Sequence, residues 1–225
     1  MFDPAIVPNP YLPLAPTIEA PTGRSFEGQR LRRAAILATT RRLLAQGHEA
    51  FTLRRVADEN HVTVQTVRNS FGRREDLMVS AINEHTSAVW RALSGFSSGP
   101  MLFLDLAQMY FHCATATPEF LRAMVTQAVA NAPSLSVLQQ HGSAIKLGHL
   151  RRLGREGVLK PGVDAEALAA QITRLNTFQM YEWAASGDTA ELRRQLVVGN
   201  KLLLIGAVTP RAAALVEAWA PAQAA

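Results

Sequence analysis

The 225-residue sequence predicts an all-α protein: a three-helix head with a helix-turn-helix, joined to a larger helical body, about nine or ten helices in all. Three observations predict it. Apolar residues recur at spacings of three and four along most of the chain, the period of a helix with one buried face. No segment sustains the period-two alternation of a half-buried strand. Most breaks between the periodic runs carry glycine or proline, which punctuate helices.

Six of the twelve prolines fall in residues 1–23, where each fixes φ and removes a donor, so a flexible arm is expected there. The first helix begins near Glu27 and carries Leu31, Ala34, Ile36, Leu37, Ala38, Leu43 and Leu44 up to Gly47. Thr52 is an N-cap for a short helix over 53–59, and Thr63 for another over 64–70, with Asn60-His61 as the turn between them. Phe71-Gly72 ends the third helix, and a longer fourth runs over 74–93. After the Ser/Gly/Pro break at 94–100, helices follow over 101–115, 118–130, 133–155, 164–185, 189–208 and 210–220. The expected domains are therefore an arm over 1–23, a head over 24–73 and a body over 74–225.

Composition sets bounds. A hydrophobic fraction of 48% with 18% charged residues excludes a mostly disordered chain. Wholly apolar stretches such as 202–208 fall far short of the roughly 20 residues a spanning helix needs, so no membrane insertion is expected. No basic stretch precedes an apolar run at the start, so secretion is not expected either. Cys113 has no partner for a disulfide, which fits a reducing cytosol and a cytoplasmic location. The net charge of +5 is concentrated: residues 24–74 hold 11 Arg against 4 acidic residues, whereas 101–225 stay near neutral. That local field is a reason to consider a polyanion.

The segment 52–71 carries the functional reading. Val56, Ala57, Val62, Val67 and Phe71 are its inward positions. The first short helix braces the second so that it projects into a major groove about 12 Å wide. On the second helix Val64, Gln65, Thr66, Arg68 and Asn69 are candidates for the outward face. Gln65 and Asn69, four apart, suit adenine; Arg68 suits guanine or phosphate; Val64 and Thr66 offer methyl groups to thymine. Arg54, Arg55, Arg73 and Arg74 flank the helix. Thr52 and Thr63 sit at helix starts, where hydroxyls and free N–H groups suit phosphate oxygens.

Residues 43–57, with Val56-Ala57, and 62–77, with Val62-Thr63, Thr66-Val67, Phe71 and Arg73-Arg74-Glu75-Asp76-Leu77, resemble the N-terminal domain of the TetR/AcrR family of bacterial transcriptional regulators. The match covers about 50 residues. It departs at His61, where the family has a turn glycine, at Arg68, where it has a phosphate-contacting tyrosine, at Ser70, where it has an aromatic, and at Arg74, where a lysine is common. The resemblance implies a ligand-responsive, sequence-specific DNA-binding regulator, usually a repressor, working as a homodimer on a double-stranded operator. Its two long helices, 164–185 and 189–208, would meet the partner copy, with Leu168, Ile172, Leu175, Leu192, Leu196, Leu203 and Ile205 in the seam or in the chain's own core. The body would hold a small-molecule inducer. Candidate lining residues are Trp90, Phe103, Met109, Tyr110, Phe111, His112, Cys113, Phe120, Met124, Gln127, Asn176, Phe178, Tyr181 and Trp183. No cofactor or metal is implied.

Catalytic signals are weak. The six histidines form no close metal pair, and no phosphate-binding glycine loop is present. Gly95-Phe96-Ser97-Ser98-Gly99 matches the nucleophile elbow but lacks the strand before it and the helix after it. Cys113 beside His112 is no dyad, because adjacent helical residues diverge. No enzymatic activity is expected; the other readings are an activator of the same family or a helical protein-interaction domain.

Overall fold

The computed structural model describes residues 8–9, 24–47, 49–94, 98–130 and 132–220. The expected arm lies almost wholly outside them, as do residues 95–97 of the elbow string and the Gln127 side chain. Ten helices follow one another: α1 Arg24–Ala45, α2 Leu53–Glu59, α3 Val64–Phe71, α4 Arg74–Ser94, α5 Met101–Ala116, α6 Pro118–Ala130, α7 Ala132–Arg155, α8 Ala165–Ser186, α9 Thr189–Ala207 and α10 Pro210–Ala218. The one extended pairing among the described residues is a bridge of Leu159 to Val208, which pins the α7–α8 connection to the end of α9.

The caps are those the sequence predicts. The Thr52 hydroxyl accepts from the Arg55 N–H and the Thr63 hydroxyl from the Thr66 N–H, each satisfying one orphan donor of a helix start. The α2–α3 turn closes on His61, with φ +53°. The His61 N–H donates to the Asp58 carbonyl and the Val62 N–H to the Ala57 carbonyl, the paired bonds of a Schellman stop. His61 thus takes the left-handed position that glycine usually fills.

In the head, Val56, Ala57, Val67 and Phe71 are buried with Leu43, Leu44 and Phe51, while Val62 is half-buried against them. Helix α4, which follows the expected 73/74 boundary, packs with both parts. The first half of α4 (Leu77, Met78, Ala81, Ile82) completes the head core, and its second half (Val89, Leu93) enters the body core with Leu106, Met180 and Leu196. The body's far end has its own core, built on Phe103, Leu150, Ile172 and Leu204. One helix therefore spans both parts, and α6 packs against α1 beside it.

On the long C-terminal helices the structure separates the two placements left open by periodicity. Leu168, Ile172, Leu192 and Leu196 face the chain's own core, and Leu175, Leu203 and Ile205 are half-buried. The large apolar side chains left exposed on these helices are Phe178, Tyr181, Val198 and Leu202, which occupy the other phase of each helix.

Candidate nucleic-acid interface and body cavity

Helix α3 is anchored by Val67 and Phe71, and the phase of a helix then turns Gln65, Arg68 and Asn69 to solvent. Gln65 Nε2 donates to Asn69 Oδ1 at 2.7 Å, so the two amides form one edge with free donor and acceptor capacity. Val64 and Thr66 are half-buried, and Thr63 is exposed. The C-terminal end of α3 is held from α1: Arg33 Nη1 donates to the Ser70 carbonyl at 2.9 Å, and its guanidinium lies 4.1 Å from the Phe71 ring centroid. At the α4 start, the Asp76 carboxylate accepts from the Arg73 N–H.

The basic residues of this region divide into two groups. Arg55 pairs with Glu59 and donates to Gln46, and Arg42 pairs with Glu59. Arg74 donates to the Phe51 carbonyl at 2.9 Å and stacks over the Phe51 ring. Those side chains hold the head together. Arg54, Arg68 and Arg73 are exposed, and Arg54 touches only the edge of an ion pair with Asp58 at 4.0 Å. The outward charge is thus narrower than an arginine count suggests, and it sits around α3.

Behind the head, α4 leads into two adjoining chambers with free volumes of about 30 and 100 Å³. The first is lined by Trp90, Tyr110, Cys113, Phe120 and Met124, with His85, Leu106, Met109, Leu121 and Ile145. The second is lined by Asn83, Gln139, Thr173 and Asn176, with apolar Ile82, Val125 and Met180. Thr86, Tyr110, Met124, Gly142 and Lys146 line both. Burial holds His85, Cys113 and Tyr110 uncharged at neutral pH. Desolvation, then the nearby Arg41 charge, pulls His85 down to about 3. Desolvation pushes the Cys113 thiol up to about 12, and it pushes Tyr110, with a smaller contribution from Cys113, up to about 12. Lys146 is drawn down to about 8 by burial alone. Among the described residues no cluster of three or more His, Cys, Asp or Glu is placed to hold a metal, and no helix is long and apolar enough to cross a membrane.

No family model and no curated protein matches the sequence. Solved structures do match the fold. A Rhodococcus protein described as a TetR-family transcriptional regulator superposes with a TM-score of 0.61 at 18% identity, over 77% of this chain and 98% of that one. SmeT, the repressor of the Stenotrophomonas maltophilia multidrug efflux pump SmeDEF, gives 0.59 at 15%, over 85% and 94%. The transcriptional repressor QsdR of R. erythropolis, from the TetR family, gives 0.59 at 19%, over 80% and 96%. The chain has the TetR fold. A complex of SmeT with triclosan shares it as well, with a TM-score of 0.56 at 16% identity, over 85% of this chain and 96% of that one.

Within this TetR fold the aromatic candidates for a lining separate. Trp90, Tyr110, Phe120, Met124 and Asn176 do line the chambers, as do Met109 and Cys113. Phe103 does not: it packs 5.4 Å from the His149 ring in the far core. Phe111 lies on the outer side of α5 beneath the Arg193 guanidinium. His112, next to it, is half-buried away from both chambers. Phe178 and Tyr181 face outward, Phe178 with 58% exposure, and Trp183 is buried in the core and donates to Thr189. Large aromatic type does not decide the wall; helix phase does. Sequence reasoning missed His85, Asn83 and Lys146. Lys146 had a legible signal, because it falls in phase with Gly142, His149, Leu150 and Leu153 on the buried face of α7.

Proposed function

We propose that this protein is a sequence-specific DNA-binding transcriptional regulator that works as a homodimer and is released from its operator by a small molecule. The observation that carries the reading is α3: a short helix braced by α2, whose exposed edge offers Gln65, Arg68 and Asn69 to base edges while Arg54 and Arg73 lie beside it for phosphates. Thr52, Thr63, Val64 and Thr66 complete the proposed contact set, whereas Arg55 and Arg74 act mainly by positioning it. SmeT and QsdR, named as repressors, share the fold and support repression. No enzymatic role is proposed.

The exposed pairs Phe178–Tyr181 on α8 and Val198–Leu202 on α9 support the dimer, since apolar exposure of this size on a helix pair favours a partner. Twofold symmetry would place a second α3 on a second half-site. Release follows from the chain's continuity. The chambers are walled by α4 residues His85, Thr86 and Trp90, and the same helix packs in the head core. A ligand that binds one placement of α4 better than another shifts the spacing of the two heads. The SmeT–triclosan complex supports a small-molecule site in this fold.

The test is selection of bound duplexes from a random DNA pool, followed by gel shift with Arg68→Ala/Asn69→Ala. The wild type should enrich a palindromic site, and the double variant should lose it while remaining folded. Enrichment of no sequence, or an unchanged shift with the double variant, would overturn the assignment of α3.

A further inference from the structure

The cavity's charge is one-sided. At neutral pH its walls hold His85, Cys113 and Tyr110 uncharged, and among the described residues no Asp or Glu lines either chamber. Lys146 is the single formal charge among the described lining residues, and it is 96% buried, with 4% exposure. Its Nζ donates to the Gly142 carbonyl on its own helix, 3.3 Å away, and no carboxylate pairs with it among the described residues. A buried ammonium without a counter-charge is costly unless a partner arrives.

A second unmet donor lines the same chamber. Asn200 Nδ2 donates to the Leu196 carbonyl at 2.7 Å and to Asn176 Oδ1 at 2.8 Å. Those bonds fix the orientation of both amides. They leave Asn176 Nδ2 buried without a partner. The rest of the first chamber is mostly apolar, with Leu106, Met109, Leu121 and Ile145, while Asn83, Gln139, Thr173 and Thr177 add only uncharged polar groups to the second. Free volumes of about 30 and 100 Å³ are smaller than an acyl tail, so a ligand enters only as the walls part, and a slim chain asks less of them than a fused-ring body.

We infer that the cavity takes an anionic amphiphile, a monocarboxylate with a slim unbranched tail, whose carboxylate sits on the Lys146 ammonium and accepts from Asn176 Nδ2 while the tail fills the chamber between α4, α5 and α6. The ligand's role as effector rests on the regulator reading above; its binding does not.

Titration calorimetry of the full chain at neutral pH with octanoate, octanol and octylamine tests the inference. Octanoate should bind at least tenfold tighter than octanol, and octylamine should not bind. Lys146→Met should abolish the preference for octanoate over octanol while retaining octanol binding. Equal binding of octanoate and octanol to the wild type, absence of binding by any saturated acid from hexanoate to dodecanoate, or an unchanged preference in Lys146→Met would overturn it. The wild-type comparison stands even if the variant does not fold. Release of operator DNA is read separately. Octanoate bound through Lys146 without release supports the site and defeats its effector role; release by octanol as effective as by octanoate supports the effector role and defeats the charge assignment.

Discussion

Arg41 of α1 and Glu84 of α4 form a buried ion pair, with Arg41 Nη1 2.5 Å from Glu84 Oε2 and also 3.4 Å from the Ala81 carbonyl. Arg41 is fully buried and Glu84 partly so. Burial lowers the Arg41 pKa from its ordinary value, and the Glu84 hydrogen bond and charge oppose that shift. The next residue along α4, His85, lines the first chamber. The pair therefore joins the head's longest helix to the helix that walls the cavity.

Removing one partner should be far worse than removing both. Glu84→Ala leaves a buried guanidinium without its counter-charge and should cost about 3 kcal/mol. Replacing both, as Arg41→Met/Glu84→Leu, should recover most of that loss. Urea melts of the two variants check this. A Glu84→Ala loss below about 1 kcal/mol would mean that the pair behaves like a surface ion pair.

His61→Gly should stabilise the head. A non-glycine residue in the left-handed region costs about 1–2 kcal/mol, and glycine returns part of that gain through its freer unfolded chain. A net increase of about 0.5–1 kcal/mol is expected, because the φ of +53° is fixed by the two Schellman bonds. His61→Val should lose at least as much. Thermal melts decide; a destabilised glycine variant would show that the His61 side chain holds the turn by contacts of its own.

Phe178→Asp/Leu202→Asp should convert a dimer into a folded monomer. Both side chains are exposed, so the substitutions disturb no intrachain core. Sedimentation velocity should show the wild type as a dimer and the variant at half its mass, with operator affinity reduced by at least tenfold through loss of the second half-site. A wild type that sediments as a monomer, or a variant that stays dimeric, would place the partner surface elsewhere.

These outcomes also show what a sequence encodes locally and what it leaves to packing. Thr52, Thr63 and the Asn60-His61 turn are local features, set by bonds within five residues, and their conformations were legible. Gln65, Arg68 and Asn69 were legible too, because Val67 and Phe71 fix the phase of α3. The role of Arg74 was not, since its partner Phe51 is 23 residues away. Phe178 and Leu168 were each assigned by residue type, but α8 is apolar on both faces, so periodicity cannot say which face meets the chain's own core. Lys146 drew no reading by residue type, since lysines mostly lie exposed, although its phase on α7 points inward.

The Lys146 charge should be visible in stability as a function of pH. Burial draws its pKa from 10.5 down to about 8. Below pH 8 the lysine is protonated in folded and unfolded chains alike, and the folded protein bears the full cost of the buried charge, about 3 kcal/mol. Between 8 and 10.5 the unfolded chain holds a proton that the folded chain has released, so this group's contribution becomes more favourable as pH rises. Lys146→Met lacks that titration. It should therefore be more stable than the wild type at pH 7, and the gap should close as the pH approaches 10.5. The comparison must be a difference between the two proteins, because Cys113 and Tyr110 stay protonated in the fold up to about 12 and pull stability down with rising pH in both. Urea melts at intervals from pH 7 to 10 measure it. A gap that does not vary with pH would mean that the ammonium is already neutralised or hydrated in the folded chain.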